Sequence, residues 1–338
     1  MKHITLLAIE GSNLSSLDQP RRAFLEVNRF LEQQNQSPAF QVQTAGLHAT
    51  VELDQGLFTI HPDIQIQQLH HTDLIIIPSC EVHDIAHTLQ RNQEYIPWLK
   101  AQYANGSEIA SLCLGTFLLA ATGLLRGKTC ATHWQAIPLF QQWFSDIQVV
   151  TDRILTDESG LYTSGGAFSS ANLIVYLIEK FIGHEAAIHC VKLFQVDMDR
   201  HSQSPFMIFQ GYKHHADETV KKAQAFIEQY YAQRISIFQL CETFAISRRN
   251  LERRFKQATG YTVGAYIQRV RMEAARKKLE NSLCTIYEVM YDVGYQDHKA
   301  FREAFKKITG LSPLQYRNRY GKHWFAPSQG QIAGDQLN

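Results

Sequence analysis

Ile286-Tyr-Glu-Val-Met-Tyr-Asp-Val-Gly294-Tyr-Gln-Asp-His-Lys-Ala-Phe301-Arg-Glu-Ala-Phe305-Lys-Lys-Ile-Thr-Gly310-Leu-Ser-Pro313-Leu-Gln-Tyr316 carries the clearest structural signature in the chain. Ile286, Val289 and Met290 recur at helical spacing and predict the inward face of a short helix. Gly294 ends that helix where a tight turn needs positive φ. Phe301, Ala304, Phe305 and Ile308 predict the buried face of a second helix, whose opposite face carries His298, Lys299, Arg302 and Lys306. Two short helices about a glycine turn, the second cationic outside, form a helix-turn-helix whose second helix suits the major groove. Gly310, Ser312 and Pro313 close the unit, with the proline at the start of a further short helix.

A second copy lies about fifty residues upstream. Ser236 reads as an N-cap, followed by Ile237, Leu240, Cys241 and Phe244 as a buried face. Ala245-Ile246 make the turn, and Ser247 is expected to cap a helix from Arg248 to Lys256. Leu251 and Phe255 point inward, leaving Arg248, Arg249, Glu252 and Arg253 outward. A helix from Asp217 to about Tyr231 precedes this copy, and one over about 263–280 joins it to the next. Two recognition helices held by such a connector can enter successive major grooves roughly 34 Å apart. Arg248, Arg249, Arg253, His298, Lys299 and Arg302 are the candidates for base or groove contact, because such cations pair with guanine O6 and N7. Arg254, Lys256, Lys306 and Lys307 are the candidates for phosphate contact.

The order Ile286, Val289, Gly294-Tyr295, Phe301, Phe305-Lys306, Gly310, Ser312-Pro313, Tyr316-Arg317 closely resembles the second helix-turn-helix of AraC/XylS-type transcription regulators. Gly260, Tyr266, Arg271, Ala274-Ala275-Arg276 and Leu279 continue that pattern. Met290 departs from it where a small residue is usual, and Glu303 where Arg is usual. The resemblance implies double-stranded promoter or operator DNA as partner, with RNA polymerase a further one.

Charge agrees with this. The chain of 338 residues has a net charge of +1, but residues 216–321 hold 19 Lys and Arg against 11 Asp and Glu. The remainder holds 14 against 21, so a basic segment sits inside a neutral chain, as a polyanion-binding module requires. No apolar run reaches the roughly 18–20 residues of a membrane span, so the expectation is a cytoplasmic protein with no membrane partner. The six cysteines, Cys80, Cys113, Cys130, Cys190, Cys241 and Cys284, are scattered without a Cys-x-x-Cys pair. That spacing favours a reducing compartment and predicts no metal site; no cofactor is expected either. His70-His71, His83 and His87 lack a third convergent ligand and read as surface positions.

The first half reads differently. Residues 3–9 form an apolar strand, a helical pattern covers about 18–31, and strand-like runs recur near 39–44, 57–61 and 74–77. Short apolar strands alternating with helices predict an α/β flavodoxin-like sandwich: a parallel sheet with helices on both faces, followed by the all-α part. Glu108-Ile-Ala-Ser-Leu-Cys113-Leu-Gly115 reads as a strand running into a sharp elbow before a helix, whose dipole would favour a Cys113 thiolate. Cys113-x-Gly115, Ala121-Thr-Gly-Leu-Leu-Arg-Gly127, Thr132-His133-Trp134 and Thr163-Ser-Gly-Gly166 resemble the class I glutamine-amidotransferase-like superfamily. That superfamily includes the Parkinson-associated deglycase and intracellular-protease groups and a branch fused to AraC-type domains.

The resemblance implies a ligand-sensing and dimerising domain over 1–195, a linker over 196–216, a double helix-turn-helix domain over 217–321 and a flexible tail over 322–338. Cys113 and His133 are then vestigial catalytic candidates, and Cys80, Cys113, Leu114, His133 and Gly165 the expected pocket. Enzymatic branches often place His after the cysteine, where this chain has Leu114. Some branches place Glu in the loop after the first strand, where it has Asn13 to Ser16. Asn172 stands where relatives often have Asp. Related fusions respond to arginine or quaternary amines such as carnitine and glycine betaine, so a nitrogenous metabolite is the expected effector. The reading is a homodimeric, ligand-responsive transcription regulator of a catabolic or transport operon without enzymatic activity. The alternative is a cysteine amidase, protease or deglycase, or a thiol redox sensor, using Cys113.

Overall fold

Strand β1 (Lys2–Ala8) is nearly all apolar because it is covered on both sides, with residues 4–8 buried in succession. The structure, a computed structural model, describes residues 1–321 apart from Asp152, Ala167, Tyr212 and His214. The tail expected over 322–338 lies outside the described residues. The chain divides into two units, Met1–Gln203 and the residues from Ser204 onward. The linker expected over 196–216 straddles that division.

In the first unit β1 is followed by α1 (Leu14–Gln33), β2 (Phe40–Gly46), the hairpin β3 (Val51–Leu53) and β4 (Phe58–Ile60), β5 (Ile64–Gln65) and β6 (Leu74–Ile77). Next come α2 (Ile85–Arg91), α3 (Tyr95–Ala104), β7 (Glu108–Ser111), α4 (Thr116–Ala121), β8 (Thr129–Cys130), α5 (Ile137–Trp143) and β9 (Gln148–Val149). The unit ends with β10 (Leu155–Glu158), β11 (Leu161–Ser164), α6 (Ser169–Ile182) and α7 (His184–Phe194). Seven strands make one sheet in the order β10-β11-β7-β6-β1-β2-β5, parallel except for the edge strand β10. The apolar run at 57–61 joins β3 in a separate antiparallel hairpin and takes no place in that sheet.

Alternate side chains of each central strand serve opposite faces. Leu7, Ile75, Ile77 and Ile109 pack with Tyr95, Leu99, Phe117 and Phe140 from α3, α4 and α5. Ile4, Leu6, Leu74, Ile76 and Ala110 pack with Phe24, Val27, Leu173, Ile178 and Cys190 from α1, α6 and α7. The two-sided burial explains why these strands read as continuous apolar runs.

The second unit is helical: α8 (Glu218–Tyr230), α9 (Ile237–Thr243), α10 (Arg248–Thr259), α11 (Val263–Asn281), α12 (Ile286–Asp292), α13 (His298–Thr309) and α14 (Pro313–Tyr320). Helix α11 runs through both of its cores. Val263 and Tyr266 near its start pack with Leu240, Leu251 and Phe255, while Met272, Ala275 and Leu279 pack with Val289, Phe301 and Phe305. Asp217 caps α8, Ser236 caps α9 and Thr285 forms a reciprocal capping box with Glu288 on α12. Ser247 stands at the N-cap of α10 in extended conformation but makes no side-chain capping bond, against expectation.

Candidate DNA interface and elbow site

Helices α10 and α13 bury Leu251 and Phe255, and Phe301, Ala304 and Phe305, which turns their charged faces to solvent. Arg248, Arg249, Arg253 and Lys256 are exposed on α10, and Lys299, Arg302, Lys306 and Lys307 on α13. Two of the arginines are preset by neighbours one helical turn away. Arg248 Nε donates to Glu252 at 3.1 Å, and Arg253 Nη2 donates to Asn250 at 3.1 Å. Such surface pairs are worth little in free energy, so they orient the guanidinium without trapping it. His298 is half-buried because its ring stacks on Tyr287 of α12, with centroids 4.7 Å apart. Tyr287 is itself 56% exposed, an aromatic surface that the helical-face argument passed over. His298, Lys299, Arg302, Glu303 and Lys306 line a groove of about 460 Å³ with Ser312 and Gln315 from the start of α14.

Arg254 differs from its neighbours. Its Nε and Nη2 reach the two carboxylate oxygens of Asp217 at 2.7 and 2.6 Å, a fork that ties α10 to the N-terminus of α8. That hydrogen-bonded guanidinium holds the Asp217 carboxyl below its usual range. Arg254, expected at a phosphate, is thus engaged with Asp217 inside the domain. Two arginines of the connecting helix are likewise engaged inside the domain. Arg271 donates to the carbonyls of Tyr231 and Gln233, and Arg276, 5% exposed, donates to the carbonyls of Pro205 and Met207 and to Tyr316 Oη.

In the first unit, β7 runs into Cys113, whose φ of +54° is the left-handed conformation expected of a sharp elbow. Gly115 makes the turn possible: a Cβ there would stand 2.5 Å from the Pro78 carbonyl oxygen. The Cys113 thiol meets the Ser79 hydroxyl and the N–H groups of Leu114 and Gly166, yet burial outweighs them and pushes its pKa up. The thiolate stabilisation expected from the following helix is therefore overcome by desolvation. Cys80, 8% exposed, lies beside it, and burial, then proximity to Cys113, pushes its thiol up to about 12. Both cysteines are free thiols. Leu114 is 2% exposed, part of the core under the elbow.

His133 is half-buried, and its Nδ1 accepts the Gln135 N–H at 3.3 Å while its ring stacks on Trp134 at 5.6 Å. Burial lowers its pKa, so its neutral form is favoured. No hydrogen bond among the described residues joins it to Cys113. A buried thiol with a raised pKa and no base on it is a poor nucleophile. Gly165 is pressed by the Gln203 side chain, a neighbour that nothing in the sequence announces.

The DJ-1/PfpI family model matches residues 23–180, and a helix-turn-helix domain model matches residues 240–319. A DJ-1/PfpI domain thus stands ahead of an AraC-type helix-turn-helix domain, the two-part make-up of a transcription regulator. This regulator is 25% identical over 261 residues to the HTH-type transcriptional regulator GbdR of Pseudomonas aeruginosa, covering 76% of this chain and 69% of GbdR. It is 26% identical over 224 residues to the HTH-type transcriptional regulator GlxA of Rhizobium meliloti, covering 64% of this chain and 67% of GlxA. The crystal structure of a Vibrio parahaemolyticus protein described as a transcriptional regulator superposes with a TM-score of 0.51 at 20% identity. That superposition covers 57% of this chain and 98% of the other, and it shows the fold. The regulator binds DNA through its helix-turn-helix domain, and none of its described helices is long and apolar enough to cross a membrane.

Proposed function

We propose that this regulator reads its operator with two helices, α10 and α13, while the DJ-1/PfpI domain senses a small nitrogenous metabolite and does not catalyse. The carrying observation is the pair of exposed cationic faces, Arg248, Arg249 and Arg253 on α10 and Lys299 and Arg302 on α13, on helices packed against opposite ends of α11. Helix α11 has 19 residues and spans roughly 28 Å at the usual rise, a length compatible with successive major grooves. His298 joins the second reading face, and Lys256, Lys306 and Lys307 supply phosphate contacts. The controlled genes are a catabolic or transport operon, with RNA polymerase as a partner. The active species is a cytoplasmic homodimer, which doubles the DNA contacts and couples effector to operator through two states.

The absence of turnover rests on the elbow chemistry: a buried Cys113 thiol, Leu114 beside it, and His133 engaged with Gln135 and Trp134. Genome-wide occupancy of the tagged protein in its host tests the reading. Discrete sites beside a transport or catabolic operon, protected over two successive major grooves, are the expected result. Absence of reproducible sites under varied nutrients, or amide hydrolysis abolished by Cys113→Ser, overturns it.

A further inference from the structure

Glutamine side chains belong to the surface class, and a buried amide is costly unless its groups are bonded. Gln203 is nevertheless only 2% exposed. Its Nε2 donates to the Thr132 carbonyl at 3.1 Å, across 71 residues of chain. Its Oε1 is buried and finds no hydrogen-bond partner among the described residues. The amide lies so close to Gly165 that a Cβ there would stand 2.0 Å from Nε2, and all three nearest atoms belong to Gln203. This seat adjoins the elbow, since the Thr132 hydroxyl donates to the Cys113 carbonyl at 3.1 Å. A side chain from the connecting segment thus fills a half-matched site in the sensing domain.

The residues that follow are anchored elsewhere. Pro205 and Met207 offer their carbonyls to Arg276, and the Phe209 N–H donates to Glu273 Oε2 at 3.2 Å, all within the second unit. Only Ser204 separates the seated Gln203 from the first of these anchors. Unseating Gln203 therefore frees the chain up to the Pro205 anchor.

We propose that Gln203 is a resident occupant of the effector seat, displaced by a small molecule that offers an N–H donor, a primary amide or amine, to the Thr132 carbonyl. This deepens the sensor reading above and rests on it. The seat supplies an acceptor, so a fully substituted ammonium ion, having no N–H, cannot replace the Gln203 bond. The unpartnered Oε1 leaves the resident amide imperfectly bound, which is what allows a better-matched ligand to expel it. Expulsion frees the segment before Ser204, and that is how the signal leaves the sensing domain.

Hydrogen exchange by mass spectrometry on the full chain tests the seat without any DNA. Gly165→Ala, whose new Cβ would have Gln203 as its nearest neighbour, should raise exchange over residues 200–204 by about tenfold, a coupling of ordinary allosteric size. In a Gln203→Ala background the same change should add nothing, because the clashing side chain is gone. Unchanged exchange in Gly165→Ala, or additive effects in the double variant, overturns the proposal. Titration calorimetry with L-glutamine, L-arginine and glycine betaine tests the ligand class. An N–H-bearing probe should bind Gln203→Ala about tenfold more tightly than the unaltered protein. Equal affinity for the two proteins, or binding of glycine betaine alone, sinks it. If the variants free the connector but operator affinity does not change, the seat stands and the sensor reading falls.

Discussion

The two helix-turn-helix copies are built on one plan and finished differently. Phe255 and Phe305, Thr259 and Thr309, Gly260 and Gly310, and Tyr266 and Tyr316 are each fifty residues apart and do the same jobs. Each threonine hydroxyl donates to the carbonyl of the phenylalanine and accepts the N–H two residues on, and each glycine closes its helix at φ near +77°. The turns diverge. The first copy puts Ala245 at φ +49°, while the second puts Gly294 at +82° and is one residue longer. The recognition helices diverge too: Asp297 caps α13 through the Ala300 N–H at 2.6 Å, whereas Ser247 leaves α10 without a side-chain cap. Glu303 occupies in the second copy the place that Arg253 has in the first. The first copy thus presents the more cationic helix, and the second has the better-capped one.

The sharpest way to break that contrast is at the turns. Gly294→Ala combines a left-handed backbone with a Cβ 2.5 Å from the Ala232 carbonyl oxygen. It should cost about 2–4 kcal/mol, seen as early loss of helicity in a thermal or urea melt. Ala245→Gly, which relieves the equivalent strain, should stay within about 1 kcal/mol of the unaltered protein. Equal losses at the two turns would erase the distinction between them.

Reading strength comes next. Arg253→Ala should weaken cognate binding by about 1–3 kcal/mol in fluorescence anisotropy, with a smaller loss on random DNA. An equal loss on both would make Arg253 a phosphate contact. Asp217→Ala removes the α8 cap and the Arg254 fork, and should lower stability by about 1 kcal/mol while sparing the salt dependence of DNA binding. Because Arg254 depresses the Asp217 carboxyl, its stabilisation is fully present above the unfolded carboxylate pKa of about 4 and is lost as pH falls through the lower folded value. An acid melt in which Asp217→Ala and the unaltered protein converge at the lowest pH checks that sign. The smallest effect is expected from Glu303→Gln. Removing one negative charge beside the groove should tighten binding by a few tenths of a kcal/mol and raise it alike on all sequences.

Much of this plan was legible in advance because it is local. Turn glycines, N-caps and inward aromatics at fixed spacing specify a helix-turn-helix within some thirty residues, and an apolar strand ending at Cys113-x-Gly115 specifies an elbow. The misreadings share a cause. The run at 57–61 was apolar enough for the sheet, yet composition does not choose a strand's partner. Arg254 reads like its neighbours on a basic helix, and only Asp217, 37 residues away, tells it apart. Tyr287 escaped because a helical wheel finds what is buried and not what is left outside.

By itself the sequence determined the two-part plan, the doubled helix-turn-helix and the cysteine elbow, since each follows from periodicity and turn chemistry within a few helical turns. Only the tertiary structure decided what state those parts are in. It sealed the Cys113 thiol under the core, forked Arg254 onto Asp217, and seated Gln203 against Gly165. Burial and long-range pairing are properties of the packed chain, and no local pattern of residues contains them.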